Sequence, residues 1–271
     1  MLRIGIVGCG AIGSSLAGII KNKFKDNCKI TALYDIDVLK ADALSKKVSP
    51  RSNLAVKTLS ALIFKCDFVI ESASASVSFM VARKSLDKGR SVMIMSVGGL
   101  MQGLNKLSVL ALRKKAKIYI PSGAISGVDA LKASKIGKIK SVTLITRKNP
   151  KSFSNVEYVS GKGFKLSALK EDKVLFFGSA LEAVKYFPQN INVAAVLSIA
   201  GIGAENTKVK IIASPAVKNN VHEVLIESDA GNIFARTENV LHPDNPKTSF
   251  LAVLAAAATL KQVSDPVRVG T

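Results

Sequence analysis

The chain has 271 residues, 48% hydrophobic and 21% charged, enough for one large globular domain or two ordinary ones. Its 39 basic residues outnumber 19 acids, a formal charge of +20, but they are dispersed in short groups and aromatics reach only 6%, too few to stack bases; nucleic acid is not an expected partner, and the basic surface reads as an attractor of small anions. No apolar run reaches the ~18 residues of a membrane span, and no HExxH, GxSxG or paired-carboxylate signature is present.

Leu2 to Val7 reads as a buried strand that runs into Gly8-Cys9-Gly10-Ala11-Ile12-Gly13. A helical pattern follows (Ile12, Leu16, Ile19, Ile20, Phe24), then a strand from Ile30 to Tyr34 ending in Asp35. Glycines in this spacing between a strand and a helix, with an acid ~20 residues on, are the mark of a dinucleotide-binding unit. Gly8 would make the turn, Gly10 would let the backbone approach a pyrophosphate, and Gly13 would bring the helix onto the sheet. The pyrophosphate would rest on the N–H groups at the helix start, around Ala11 and Ile12. Asp35 would accept from ribose hydroxyls and repel a 2′-phosphate, which favours NAD over NADP. Cys9 reads as a small filler, not a nucleophile.

Strands at Phe68 to Glu71, Ser91 to Met95 and Lys117 to Ile120 alternate with helical stretches at Val77 to Lys88 and up to Lys115. That alternation predicts an α/β, Rossmann-type doubly wound parallel sheet. Glu71-Ser72-Ala73-Ser74 falls at its carboxyl edge, where ligands bind. Past Pro121 the rhythm changes. A β-branched run from Lys138 to Arg147, a loop to Gly163, and strands at 174–177, 207–213, 221–228 and 232–238 predict a second α+β domain with a mixed or antiparallel sheet. Helices are expected at about 180–186 and 191–202, and a last apolar helix from about Thr248 to Lys261. The expected domains are 1–121, rejoined by 245–271, and 122–244. Cys9, Cys28 and Cys66 form no CxxC pair, which excludes a disulfide framework and a zinc knuckle, so no metal is expected. A strand beginning at Leu2 leaves no room for a signal peptide, and the expectation is a reducing cytoplasm.

Only two histidines could move protons near neutrality. His222 shares a strand face with Val224 and Ile226, and is either a hydrogen-bonded structural residue or a catalytic one. His242, before Pro243, reads as a surface or loop residue. Ser122-Gly123-Ala124 after the last nucleotide-domain strand would allow close backbone approach to a nicotinamide, or is a plain interdomain turn. Asn190 and Asn192 stand at the start of an apolar helix; one is expected to cap it and the other to hold a carboxamide or carboxylate.

These segments together resemble the L-aspartate dehydrogenase family. The likeness runs through GIVGCGAIG, Tyr34-Asp35, ESAS at Glu71, MSVGGL at Met95, PSGAISGVDAL at Pro121, TRKNP at Thr146, FPQNINVAA at Phe187, NVHEV at Asn220 and NPKTS at Asn245. Leu241-His242-Pro243-Asp244 departs from it. The resemblance implies NAD(P)-dependent oxidation of L-aspartate to iminoaspartate, or the reverse amination of oxaloacetate, feeding NAD biosynthesis. It implies a catalytic role for His222 and nicotinamide contacts for Ala124 and Asn190, with Asn192 as second candidate. Asn192, backbone around Ser122, and Lys247-Thr248 are candidates for the substrate carboxylates. A homodimer is expected, paired through the second-domain sheet. The competing readings are another two-domain NAD(P) reductase acting on a different oxo-acid or imine, and a protein that binds NAD without turnover.

Overall fold

The computed structural model describes residues 1–187, 191–243 and 245–270, the side chains of Ile191, Pro246 and Lys247 excepted. Two compact units emerge: Met1–Pro121 with Val253–Val269, and Ser122–Ala252 with Gly270. No helix among the described residues is long and apolar enough to cross a membrane.

In the first unit the elements are β1 (Leu2–Val7), α1 (Ala11–Lys23), β2 (Cys28–Tyr34), α2 (Val38–Val48), α3 (Leu59–Lys65), β3 (Phe68–Glu71), α4 (Ala75–Asp87), β4 (Ser91–Ile94), α5 (Leu104–Arg113) and β5 (Ile118–Tyr119). The strands pair in the order β2-β1-β3-β4-β5, all parallel. Buried on both faces, they are near-continuous apolar runs: Ile4, Ile6, Phe68, Val69, Ile70, Val92, Met93 and Ile94 are all at most 1% exposed. The α1 helix buries Gly13, Leu16, Ala17 and Ile20, spaced along one stripe, and leaves Lys21 and Lys23 in its last turn, where cations suit the helix dipole. Capping fixes the next two helix starts: Asp37 accepts from Leu39 N–H and Thr58 from Ala61 N–H. Because β1 lies between β2 and β3, the direction of winding reverses there. A ligand crevice belongs beyond the carboxyl ends of those two strands.

The second unit holds α6 (Val128–Ser134), β6 (Ile139–Lys148), α7 (Glu157–Gly161), β7 (Lys173–Ser179), α8 (Ala180–Tyr186), α9 (Ile191–Ala200), β8 (Thr207–Ala213), β9 (Asn220–Ser228), β10 (Gly231–Asn239), the short hairpin of β11 (Leu241–His242) and β12 (Asn245–Ser249), and the start of α10 (Phe250–Ser264). Its five-stranded sheet runs β10-β9-β6-β8-β7. Only β6 and β8 are parallel, so the sheet is mixed. Alternation along β6 and β9 sorts the faces. Val142, Leu144, Thr146, His222, Val224 and Ile226 are buried. Leu144 and Thr146 meet Ala183, Phe187 and Ala194 of the α8–α9 segment around a small crevice. Thr143, Ile145, Arg147, Glu223 and Leu225 point to the other, half-exposed face.

Candidate functional site

At the carboxyl edge of the first sheet, each fingerprint glycine has its own reason. Gly8 has φ +91, and a Cβ there would lie 2.7 Å from Ala73 N. A Cβ on Gly13 would lie 1.9 Å from the Gly8 carbonyl oxygen, so only glycine lets α1 sit this close to β1. Gly10 is different: a Cβ there would meet nothing within 4 Å. No packing requires that glycine; an open approach to the helix N-terminus does. Gly10 is also the N-cap of α1, offers no side-chain acceptor, and no acid stands in the first turn. The terminus is therefore left to accept an anion.

Two carboxylates hold this edge in shape. Asp35 accepts from Cys9 N–H at 2.7 Å and from Asp37 N–H at 2.9 Å, which ties the end of β2 to the glycine turn. Glu71, fully buried, accepts from Ala73 N–H at 2.8 Å, Ser96 N–H at 3.0 Å and Ser96 O–H at 2.9 Å. Burial pushes the Glu71 carboxyl up, against the pull of these donors. Cys9 is 5% exposed, and burial followed by the nearby Asp35 raises its thiol to about 12. It stays protonated and is a filler. Cys9, Cys28 and Cys66 are all free thiols. The edge has what a dinucleotide would need: an uncapped helix N-terminus at Gly10 to meet an anion, and lone pairs on Asp35 that its two backbone donors leave over.

In the second unit, the helix-covered face of the sheet becomes polar toward the end of β6. Thr146 pairs across to His222 on β9, and His222 pairs on to Thr237 on β10. Thr146 Oγ1 lies 3.0 Å from His222 Nδ1, which fixes the ring and leaves Nε2 for other chemistry. His222 is 5% exposed; burial, and then the charge of Lys148, lower its pKa to about 3. The imidazole is neutral. Thr237 Oγ1 and Asn239 Nδ2 both donate to the Ala124 carbonyl, at 3.1 and 3.0 Å. Gly123, at φ +70 with open space where a Cβ would be, makes that turn possible. Thus His222 and Ala124, far apart in sequence, are brought to one place through Thr237.

The other expected contacts fare differently. Asn190 lies outside the described residues, as does the Lys247 side chain. Asn192 is exposed on the first turn of α9, and Ser122 is half-buried. Thr248 Oγ1 accepts from Asn245 Nδ2 at 3.2 Å inside the β12 strand. The surface assignment of His242 is wrong. It is 1% exposed, because the β11–β12 hairpin turns its ring against Phe250, 5.7 Å between centroids. Thr146, Lys148, Thr237 and Asn239 are additional members of the site; only the register between strands reveals them. No His, Cys, Asp and Glu group among the described residues could hold a metal ion.

Comparison with known proteins agrees with this geometry. Residues 129–263 match the family model described as aspartate dehydrogenase, C-terminal, and residues 8–121 match the homoserine dehydrogenase NAD binding domain. The chain is 43% identical to the L-aspartate dehydrogenase of Methanosarcina barkeri, over 100% of both chains. It is 42% identical to the L-aspartate dehydrogenase of Methanocella arvoryzae, again over 100% of both. A solved structure of aspartate dehydrogenase from Thermotoga maritima superposes with a TM-score of 0.74 at 27% identity, covering 100% of each chain.

Proposed function

The chain belongs to the L-aspartate dehydrogenase family, and on that premise we propose that it oxidises L-aspartate to iminoaspartate, or aminates oxaloacetate in reverse, with His222 as the acid–base residue. The carrying observation is a buried, neutral imidazole held at Nδ1 by Thr146 on the face where Thr237 and Asn239 hold the Ala124 carbonyl. The bound nicotinamide dinucleotide supplies the hydride acceptor; everything else falls to the chain. Aspartate arrives with an ammonium group, and its nitrogen lone pair must be freed before Cα can release hydride. His222 takes that proton at Nε2, the nitrogen that Thr146 does not engage. Burial around the site excludes competing water. The backbone turn at Gly123-Ala124 is fixed by two donors, so it presents a preset surface to the carboxamide end of the cofactor, with Asn190 or Asn192 as the second contact. Asn192, Ser122, Lys247 and Thr248 are candidates for holding carboxylates.

The cofactor is NAD in preference to NADP: the Asp35 carboxylate would face a 2′-phosphate, and Ile36-Asp37-Val38 supplies no cation to offset it. The active species is a homodimer formed through the uncovered face of the second sheet. Phe177 and Phe234, both 62% exposed, flank Ile145 and Leu225 there. Sedimentation should show a dimer at micromolar concentration; a monomer alone overturns this. The reaction belongs in pyridine nucleotide biosynthesis in a cytoplasmic setting. The direct test is NADH absorbance with a panel of amino acids: turnover of L-aspartate above all others is expected. Activity confined to another amino or hydroxy acid would favour a different two-domain reductase, and cofactor binding without turnover a non-enzymatic role.

A further inference from the structure

We propose that Asn239, on β10, accepts an N–H of the substrate's amino group at its Oδ1 atom, beside His222, and so selects amino acids over their 2-hydroxy counterparts. This rests on the reading of the chain as an amino-acid dehydrogenase and deepens it by naming a group that recognises the nitrogen.

The starting observation is an orphaned buried atom. Asn239 is 2% exposed, yet its Oδ1 has no hydrogen-bond partner among the described residues. Turning the amide over would not cure this. Its other end lies 3.0 Å from the Ala124 carbonyl, and a carbonyl oxygen only accepts, so the end that faces it is the N–H2. Thr237 Oγ1 donates to the same carbonyl at 3.1 Å, which fills both lone pairs of that oxygen. Oδ1 is thus the acceptor that this cluster leaves over. A buried acceptor of this kind is costly unless something donates to it.

Strand register sets its place. His222 on β9 lies opposite Thr237 on β10, and Asn220 lies opposite Asn239. Side chains two apart on a strand share a face, so Asn239 stands on the face of His222 and diagonal to it. Diagonal neighbours of a strand pair lie about 7–8 Å apart, room for one substrate nitrogen between an imidazole nitrogen and an amide oxygen. Arg236 and Glu238 alternate to the other face, where they are exposed and pair with each other. Neither the row of Thr146, His222 and Thr237 nor the row of Asn220 and Asn239 contains a carboxylate.

The chemistry favours a nitrogen at this acceptor. An ammonium substrate gives one proton to His222 and a hydride to the nicotinamide, and the iminium that forms still carries two N–H groups. One of them can stay on Oδ1 from ground state to product. A 2-hydroxy acid gives its single O–H proton to His222, and the carbonyl oxygen that forms has nothing to donate. It would turn lone pairs toward Oδ1, and a site built around a substrate N–H rejects the analogue that lacks it. That the acceptor is an amide also matters. Burial, then the charge of Lys148, hold the imidazole neutral, at about 3. A carboxylate at position 239 would pull that value up, whereas an amide recognises the N–H and adds no charge.

The test is calorimetric titration of the full chain, saturated with NADH so that neither ligand reacts, with L-aspartate and with L-malate, its 2-hydroxy counterpart. The parent should bind aspartate at least about tenfold more tightly than malate. In Asn239→Leu aspartate affinity should fall about 10–10²-fold, the loss of one hydrogen bond to a charged group, while malate stays within about threefold. Asn239→Asp restores an acceptor but not the donor to Ala124, and should recover aspartate binding alone. Thr237→Val removes the other donor to the Ala124 carbonyl and keeps the acceptor, so it should shift both ligands by one factor. Should Asn239→Leu fail to fold, Asn239→Ala is read the same way. Equal losses for the two ligands in Asn239→Leu, or a parent without preference, overturn the proposal, while aspartate turnover by the parent leaves the dehydrogenase reading intact. A preference that depends on Asn239, in a parent that does not oxidise aspartate, supports the amine contact and removes the reaction assigned to it.

Discussion

Adding one methyl group at Gly10 or at Gly13 should have opposite consequences. Gly10 sits at φ −74, ψ −163, a backbone conformation alanine adopts freely, and its Cβ would enter open space. Loss of a glycine N-cap costs about 0.5–1 kcal/mol, and the stiffer unfolded chain returns about 0.4–1 kcal/mol. Gly10→Ala should therefore melt within about 2 °C of the parent. The methyl group would stand where the pyrophosphate must approach, so NADH affinity should fall at least about tenfold, ~1.4 kcal/mol. For Gly13→Ala the added Cβ would lie 1.9 Å from the Gly8 oxygen, an overlap relieved only by moving α1 off the sheet. Overpacking of that kind costs about 1–3 kcal/mol, seen as a melting temperature lower by several degrees. Differential scanning calorimetry and NADH fluorescence titration on both variants separate the two effects. Parent-like NADH affinity in Gly10→Ala would refute the assignment of this turn to the pyrophosphate.

His222→Asn should retain the fold and NADH affinity, since the amide can still meet Thr146, while kcat for aspartate falls ~10²–10⁴-fold; normal turnover would remove His222 from the chemistry. His242→Asn should do the reverse, lowering the melting temperature through its lost contact with Phe250 and leaving the kcat of folded protein within a few-fold. Asp35→Ser should narrow the preference for NAD over NADP when both are titrated by fluorescence, and tighter NADP binding by the parent would contradict the role given to this carboxylate. Acid should destabilise the fold through His222. Its folded pKa, about 3, lies below the unfolded ~6.5, so the unfolded chain binds the extra proton as pH drops below 6.5. Stability is then full above that pH and declines by about 2 kcal/mol by pH 5. Melting of parent and His222→Asn from pH 7.5 to 5 should show this slope in the parent alone.

The parts legible in the sequence are those whose causes are local. The glycine turn, the Asp35 carboxylate and the alternating first unit follow from spacing within about thirty residues, and strands such as Thr207–Ala213 announce themselves by β-branched runs. His222 could be placed on the correct face by alternation, but its partner could not. Thr146 is 76 residues away, and only the pairing of β6 with β9 puts them together. Asn239 escaped for the same reason, reading as part of a loop until the pairing of β9 with β10 set it in the row beside the histidine. His242 was misplaced because the loop-like residues Glu238 to Leu241 before it and Pro243 after it suggest a loop. The hairpin of β11 and β12 folds the ring inward onto an aromatic that begins the next helix.

The bond from Cys9 N–H to Asp35 Oδ2 bears on any attempt to redesign cofactor choice. The acid that would repel a 2′-phosphate also anchors the glycine turn, so the two properties cannot be varied separately by a change at position 35. Replacement by a neutral or basic residue lifts the repulsion and at the same moment frees a backbone donor in the loop that must cradle the pyrophosphate. A single substitution should thus yield an enzyme less selective and weaker toward both dinucleotides. A true exchange of preference calls for two changes: a cation after position 35 to receive the phosphate, and a short acceptor that keeps hold of the Cys9 N–H.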